Sequence, residues 1–365
     1  MSTNGTQKVR KSNFELLRII SMLMIVVLHT GTHGLSKYVD VETLGTYNEF
    51  FYYFIRSLAI IAVNVYVFIS GYFLVKSKFK WRRLLLLFLE TSFISSIIYL
   101  GTVWFEFETF TFENFIKSLF SIYFRQYWFV TVYFVLYLIS PFLNLLIENL
   151  SKRDHRNLLI ILFVISAVWQ FFFSNNFLAI MSGYSIVYFI FLYILAAYIR
   201  FYDFIFKDFK KNIYLISFVL LALLNSFLFL QLGKSNVMDF INEIHFLQIQ
   251  KTDLFDYNSP IVLAMSYCLF LYFKHLNITS RIINFSATYV FGVYLIHEQP
   301  SMRQVLWEKL GIIENVISTK TNYILVKYLT VSIVVFLACW LASLVLSSIY
   351  YYLTRILSKP KVSNS

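Results

Sequence analysis

Four ionisable side chains, Glu15, Arg18, His29 and His33, sit on the first apolar stretch of the chain. Glu15 and Arg18 lie in Phe14-Glu15-Leu16-Leu17-Arg18, and His29 follows in Leu28-His29-Thr30. Read as a helix at about 100° per residue, the step from Arg18 to His29 is about three turns plus 20°. The two side chains therefore share a face, about 16 Å apart along the axis. Glu15 and His33 flank that face within about 60°. A lone histidine on an apolar helix is ordinarily structural, but a cation and an imidazole on one face suggest chemistry. Histidine takes and returns a proton near neutral pH, so His29 reads as a general base. It also reads as a nucleophile that accepts an acyl group. No cysteine lies nearby, and no serine–histidine–aspartate grouping is evident.

Other polar groups interrupt apolar sequence further along. The second stretch carries Arg56, Asn64 and Phe68-Ile69-Ser70-Gly71-Tyr72-Phe73-Leu74, followed at once by Lys76, Lys78, Lys80, Arg82 and Arg83. Ser70-Gly71 suits either close helix packing or the approach of a ligand to the backbone. The basic run suits either cytoplasmic anchoring or phosphate binding. Glu90, inside the third stretch, is a partner for Arg18, as is Glu15. Arg125-Gln126-Tyr127-Trp128-Phe129 places aromatics beside a cation, as an interfacial belt or a sugar-binding vestibule would. Late in the chain comes Phe291-Gly292-Val293-Tyr294-Leu295-Ile296-His297-Glu298. By depth, His29, Arg56, Arg125, His297 and Glu298 converge in the outer half of a membrane. Arg200 and Lys327 lie near the ends of apolar stretches, where snorkelling accounts for them.

The elements that must carry these residues follow from composition. Of 365 residues, 59% are hydrophobic and only 14% charged, against roughly 25% charged in soluble domains. Mean hydropathy is +0.68. Long apolar blocks exclude a disordered chain and an outer-membrane barrel, which leaves an all-α polytopic membrane protein. Ten stretches reach or approach the roughly 20 residues a bilayer requires: 14–34, 51–75, 84–105, 127–147, 157–174, 184–202, 212–232, 259–274, 283–299 and 323–353. The ninth is the weakest, being short and containing His297 and Glu298. Cys268 and Cys339 both sit in apolar runs, so neither a disulfide framework nor a metal cluster is expected.

The net charge of +12 is unevenly spread. The two termini and alternate loops hold 20 of the 31 Lys and Arg, whereas the intervening loops hold 8 of them and 12 of the 19 acids. Basic residues mark cytoplasmic loops, so ten helices with both termini in the cytoplasm account for the pattern. Nucleic-acid binding is then unnecessary and is not expected. Lys8-Val9-Arg10-Lys11 resembles the start of a signal peptide, but Arg18 interrupts the adjoining apolar run, and a retained first helix is expected. With no repeat and no long linker, residues 1–365 read as one integral-membrane domain with a core at about 10–353 and no soluble appendage.

The residues also carry a resemblance. Arg18 and His29 with ten residues between them resemble the signature of the membrane acyltransferase-3 family, which includes O-acetyltransferases of surface and cell-wall polysaccharides. The Ser70-Gly71-Tyr72-Phe73-Leu74 ending with the basic loop through Arg82 and Arg83 resembles a second landmark. Tyr127-Trp128-Phe129 with Leu138-Ile139-Ser140-Pro141, and Gly292 through His297, resemble two more. The resemblance implies acetyl-CoA as donor substrate, with no bound cofactor, and a hydroxyl of a surface glycan or its lipid-linked precursor as acceptor. It implies Arg18, Ser70, Gly71, Lys80, Arg82 and Arg83 on the donor. His29 then activates the acceptor, and Arg56, Arg125, Tyr127, Trp128, His297 and Glu298 line the acceptor side, in a multi-pass protein of the cell membrane. The competing reading is a transporter or flippase for a glycan intermediate, with Arg18 and His29 on a substrate or proton path. Scarce proline and the lack of repeats speak against it.

Overall fold

The computed structural model describes residues 11–173, 180–202, 210–234, 237, 244, 249–317 and 323–357. The basic residues Lys8 and Arg10 lie outside them. Helices dominate, and no strand occurs among the described residues. The elements that matter below are α1 (Asn13–Tyr38), α2 (Thr46–Leu74), α3 (Trp81–Trp104), α4 (Phe112–Leu119), α5 (Trp128–Asn149), α6 (Lys152–Phe173) and α7 (Ile186–Tyr202). They continue with α8 (Lys211–Leu232), α9 (Pro260–Lys274), α10 (Arg281–Thr288), α11 (Val290–His297) and α12 (Ile324–Leu357).

Eight of the ten expected stretches are helices long and apolar enough to cross a membrane. The sixth, α7, is shorter at 17 residues but almost wholly apolar and buried. The ninth departs from expectation, because residues 283–299 form not one helix but α10 and α11, which meet at Tyr289. Neither proline nor glycine marks that break. α12 supplies side-chain donors to carbonyls at the break. The Trp340 indole donates to the Ser286 carbonyl at 3.0 Å, and the Ser343 hydroxyl donates to that of Tyr289 at 2.7 Å. Irregular backbone at membrane depth requires this kind of internal satisfaction. Gly292 lets the two helices close up at the break, since a Cβ there would overlap the Ser343 hydroxyl.

The loop sets separated by charge also separate in space. At one end, the Ser12 amide donates to the Ile278 carbonyl at 2.8 Å, Asn144 Nδ2 to that of Leu74 at 3.2 Å, and the Tyr350 hydroxyl to that of Leu86 at 2.8 Å. These join the N-terminal tail, the inner loops and the end of α12. At the other end, Lys37 pairs with Glu308 at 2.6 Å and Lys251 with Glu42 at 2.8 Å, while the Tyr257 amide donates to the Ser182 carbonyl at 3.1 Å. The second end is the extracytoplasmic one by the charge rule.

α1 lies near the centre of the bundle, packed on α2, α9, α11 and α12. It is regular through His29 and then widens into a π-helical segment, Thr30–Leu35. Such widened turns are frequent at functional sites. Gly31 fits within this segment, where a Cβ would press on the Tyr52 and Tyr328 hydroxyls at about 3.0 and 3.1 Å.

Candidate active site

The histidine end of α1 meets the end of α11 in a compact cluster. His29 Nδ1 faces His297 Nε2 at 2.9 Å. The Glu298 carboxylate is adjacent, with Oε1 3.1 Å from His29 Nδ1 and 3.4 Å from His33 Nε2. Arg303 Nη1 stands 3.6 Å from the other oxygen, Oε2. His297 is wholly buried and Glu298 nearly so. The directed hydrogen bond of His29 goes to His297, and Glu298 Oε1 stands beside it as a close charge rather than an aligned acceptor.

The tautomers follow from these partners. His297 Nδ1 lies 2.6 Å from the Val293 carbonyl, one turn earlier in α11. A carbonyl only accepts, so His297 Nδ1 carries the proton and, in the neutral ring, Nε2 accepts. The facing His29 Nδ1 must then donate, which leaves Nε2 as the basic nitrogen of His29. Once protonated, that ring is an imidazolium beside a buried carboxylate, which is how a base is held ready to receive a proton.

Below this cluster a cavity of about 250 Å³ runs toward the opposite end. On α1 it is lined by Arg18, Met22 and Ile25, steps of four and three residues whose next step is His29. On the α10–α11 pair it is lined by Ala287, Val290, Phe291 and Tyr294, and the next turn holds His297 and Glu298. Tyr66 and Ser70 of α2 and Tyr133 of α5 contribute the other polar groups. Arg18 Nη1 lies 2.8 Å from each oxygen of Glu15. Of the two expected partners of Arg18, Glu15 takes that role. Glu90 instead meets Ser347 at 3.4 Å and Tyr351 at 3.3 Å on α12. The Tyr66 hydroxyl donates to the Arg18 carbonyl at 2.8 Å, tying the cavity wall to α1.

The structure brings some of the expected residues together and not others. Arg18, Ser70, His29, His297 and Glu298 follow one path through the bundle. Gly71 does not reach the cavity: it abuts α7, where a Cβ would lie about 3.0 Å from that of Ala196. Lys80, Arg82 and Arg83 are exposed at the start of α3 and do not line the cavity. The expected convergence of Arg56 and Arg125 on His29 is not found. Arg56 stacks on Phe255 at 4.3 Å, and Arg125 is exposed with a left-handed backbone (φ 56°). Depth along the membrane places a residue at a level but says nothing of its azimuth. Tyr127 is fully buried and donates to the Leu295 carbonyl at 2.8 Å, fixing α5 to α11. Trp128 packs with Tyr184 (4.5 Å) and Tyr257 (5.8 Å) in an aromatic group. Arg303 has no part in the expected site; its signal is a cation five positions after Glu298.

His29, His297 and Glu298 also present one ligand atom each within 4.8 Å of one another, a spacing suited to a metal ion. No cysteine or metal-ligand motif signals this from sequence. The residues fit a hydrogen-bonded proton relay equally, and Arg303 places a positive charge against the same carboxylate.

A comparison with curated proteins and with solved structures gave no match. The family described as an acyltransferase domain matches residues 11–352. The match spans every element that builds the cavity and the histidine cluster, and the chain belongs to this family, the acyltransferase-3 membrane acyltransferases.

Proposed function

We propose that this protein transfers an acyl group, most simply acetyl, from acyl-CoA to a hydroxyl of a cell-surface polysaccharide or its lipid-linked precursor. The observation that carries the reading is the cavity that starts at Arg18 and ends one turn below His29 and Glu298. A thioester end enters such a cavity while the nucleotide phosphates remain outside with Lys80, Arg82 and Arg83, where guanidinium groups suit phosphate oxygens. At the far end, His29 Nε2 takes the proton of the acceptor hydroxyl as its oxygen attacks the thioester carbonyl carbon. The carbon–sulfur bond breaks, an oxygen ester forms, and the imidazolium returns its proton to the departing sulfur. Glu298 and His297 hold the charged ring in place between the two steps. The acceptor approaches from the extracytoplasmic end of a protein in the cell membrane.

The test is turnover of radiolabelled acetyl-CoA by the purified protein in vesicles, with polysaccharide extract as acceptor. Label passing from CoA to the glycan with the wild type but not with His29→Ala is the expected result. Equal turnover by His29→Ala would overturn the role of that base. No turnover by the wild type with any extract or lipid-linked precursor would return the weight to transport.

A further inference from the structure

A second cavity, distinct from the donor path, opens at the extracytoplasmic end between the last turn of α6, the 181–184 loop and the segment leading into α9. It has a volume of about 230 Å³, and its wall is almost entirely polar, including Gln170, Thr252, Asp253, Asp256, Asn258 and Ser259. Three of these side chains are more than nine-tenths buried yet keep a polar atom without a hydrogen-bond partner among the described residues. They are Oε1 of Gln170 (8% exposed), Oδ1 of Asn258 (2%) and Oγ of Ser259 (1%). Buried polar atoms are ordinarily paired, and each exception calls for a partner. Asn258 spends its amide nitrogen on the Ser166 carbonyl at 2.8 Å, which leaves its carbonyl oxygen without a partner among the described residues.

The rim is held by unusual backbone. Met181, Ser182 and Gly183 are consecutively left-handed (φ 52°, 54° and 86°). A Cβ on Gly183 would overlap that of Tyr257 at 2.6 Å. Non-glycine residues in this region are strained, and strain concentrates where a site must be shaped. The loop sets Tyr184 against Tyr257 at 4.9 Å and both against Trp128. Those three rings pack on one another beside the rim, and the aromatic side chain that lines the cavity itself is Phe171. Asn258 and Asp256 flank Tyr257, whose own carbonyl accepts from Tyr188 at 2.6 Å and Asn64 at 2.8 Å deep in the bundle. Among the described residues no Lys, Arg or His lines the cavity; Arg56 lies behind it on Phe255.

We infer that this cavity binds a sugar unit of the acceptor glycan, and that the unit bears no acidic group. Sugar hydroxyls both donate and accept, which matches carboxyl groups set beside amide and hydroxyl groups, and the C–H face of a sugar ring packs on an aromatic side chain such as Phe171. With no lining cation among the described residues, a uronic acid or phosphate finds no counter-charge beside the two carboxyl groups, while a neutral or amino sugar satisfies them by hydrogen bonding. The inference deepens the proposed acyl transfer and rests on it for the nature of the ligand.

Binding is tested without donor, by calorimetric titration of the full-length protein in lipid nanodiscs at neutral pH. The probes are chitotetraose, its de-N-acetylated tetramer, and tetragalacturonate. Binding of chitotetraose or the de-N-acetylated tetramer and not of tetragalacturonate is expected, with Gln170→Ala and Asp256→Asn each weakening it by about tenfold, as loss of a hydrogen bond to a charged or buried group does. Should either variant fail to fold, Thr252→Trp, which starts from an exposed rim position, closes the mouth without touching the buried wall and abolishes binding. Binding of tetragalacturonate as tight as that of the other probes, unaltered binding in the variants, or binding of none of the three overturns the inference. Acetyl-CoA turnover in the same preparations reports the proposed activity separately, so failure of one is distinguishable from failure of the other.

Discussion

α12 and the pair formed by α1 and α11 are made of similarly apolar sequence but differ in construction. α12 is an unbroken helix of 34 residues, and from Tyr328 to Thr354 it contains no Asp, Glu, Lys, Arg or His. Only 28% of its most apolar window is buried, against 61% for α1, so much of its surface is left to lipid. α1 carries Glu15, Arg18, His29 and His33 and changes to π geometry directly after His29. α11 is half of a broken span and ends in His297 with Glu298 as its cap. A regular apolar helix forms wall, and the histidine cluster with Glu298 sits where helical regularity fails. The wall also serves the site, because Trp340 and Ser343 of α12 donate to backbone carbonyls at the break.

This contrast is open to direct attack. The largest effect is expected from His29→Ala, which removes the base and lowers kcat by roughly 10²–10⁴-fold, with expression and detergent stability retained; radiolabel transfer measures it. Glu298→Gln keeps the shape of the cluster and removes its charge, for a loss of about tenfold to a hundredfold in kcat in the same assay. Arg18→Ala acts at the other end of the cavity. It should raise KM for acyl-CoA about tenfold while changing kcat less, as a charged contact to the donor requires. Gly292→Ala forces the α11–α12 contact apart, costs about 1–3 kcal/mol as overpacking does, and appears as a lowered melting temperature by fluorescence. Leu341→Ala, on the exposed face of α12, should change stability by no more than about 0.5 kcal/mol and leave turnover unaltered. A large loss of turnover in Leu341→Ala would erase the distinction between wall and site.

Much of this was legible in the residues themselves. Apolar length located the spans, charge sorted the loops onto two ends, and the eleven-residue step predicted the shared face of Arg18 and His29. The grouping of His29 with His297 and Glu298 was readable from depth alone. Depth could not place Arg56 or Arg125, because azimuth is set by which helices pack together, and that information lies in side-chain fit spread over the whole bundle. The break at Tyr289 was hidden for a related reason, since its compensating donors come from residues 51 and 54 positions further on. The polar cavity at Asp256 and Asn258 was also missed. Its residues lie in three segments far apart in the sequence, the last turn of α6, the 181–184 loop and the approach to α9, and nothing in any one of them points to the others.

Under the proposed transfer, the cavity that starts at Arg18 has an electrical consequence. Past Arg18, every side chain lining it, from Met22 and Ile25 to Tyr294, is uncharged. Such a conduit turns back phosphates, whose desolvation is costly, and admits only the neutral arm of a thioester. In the proposed reaction, what moves from one side of the membrane to the other is an acyl group without charge, and the proton lost by the acceptor is returned within the same turnover. Moving an elementary charge through the membrane field is worth about 2.3 kcal/mol per 100 mV, and here none is moved. Acyl transfer through this protein should run at the same rate in polarised and depolarised vesicles, needing neither an ion gradient nor nucleotide hydrolysis.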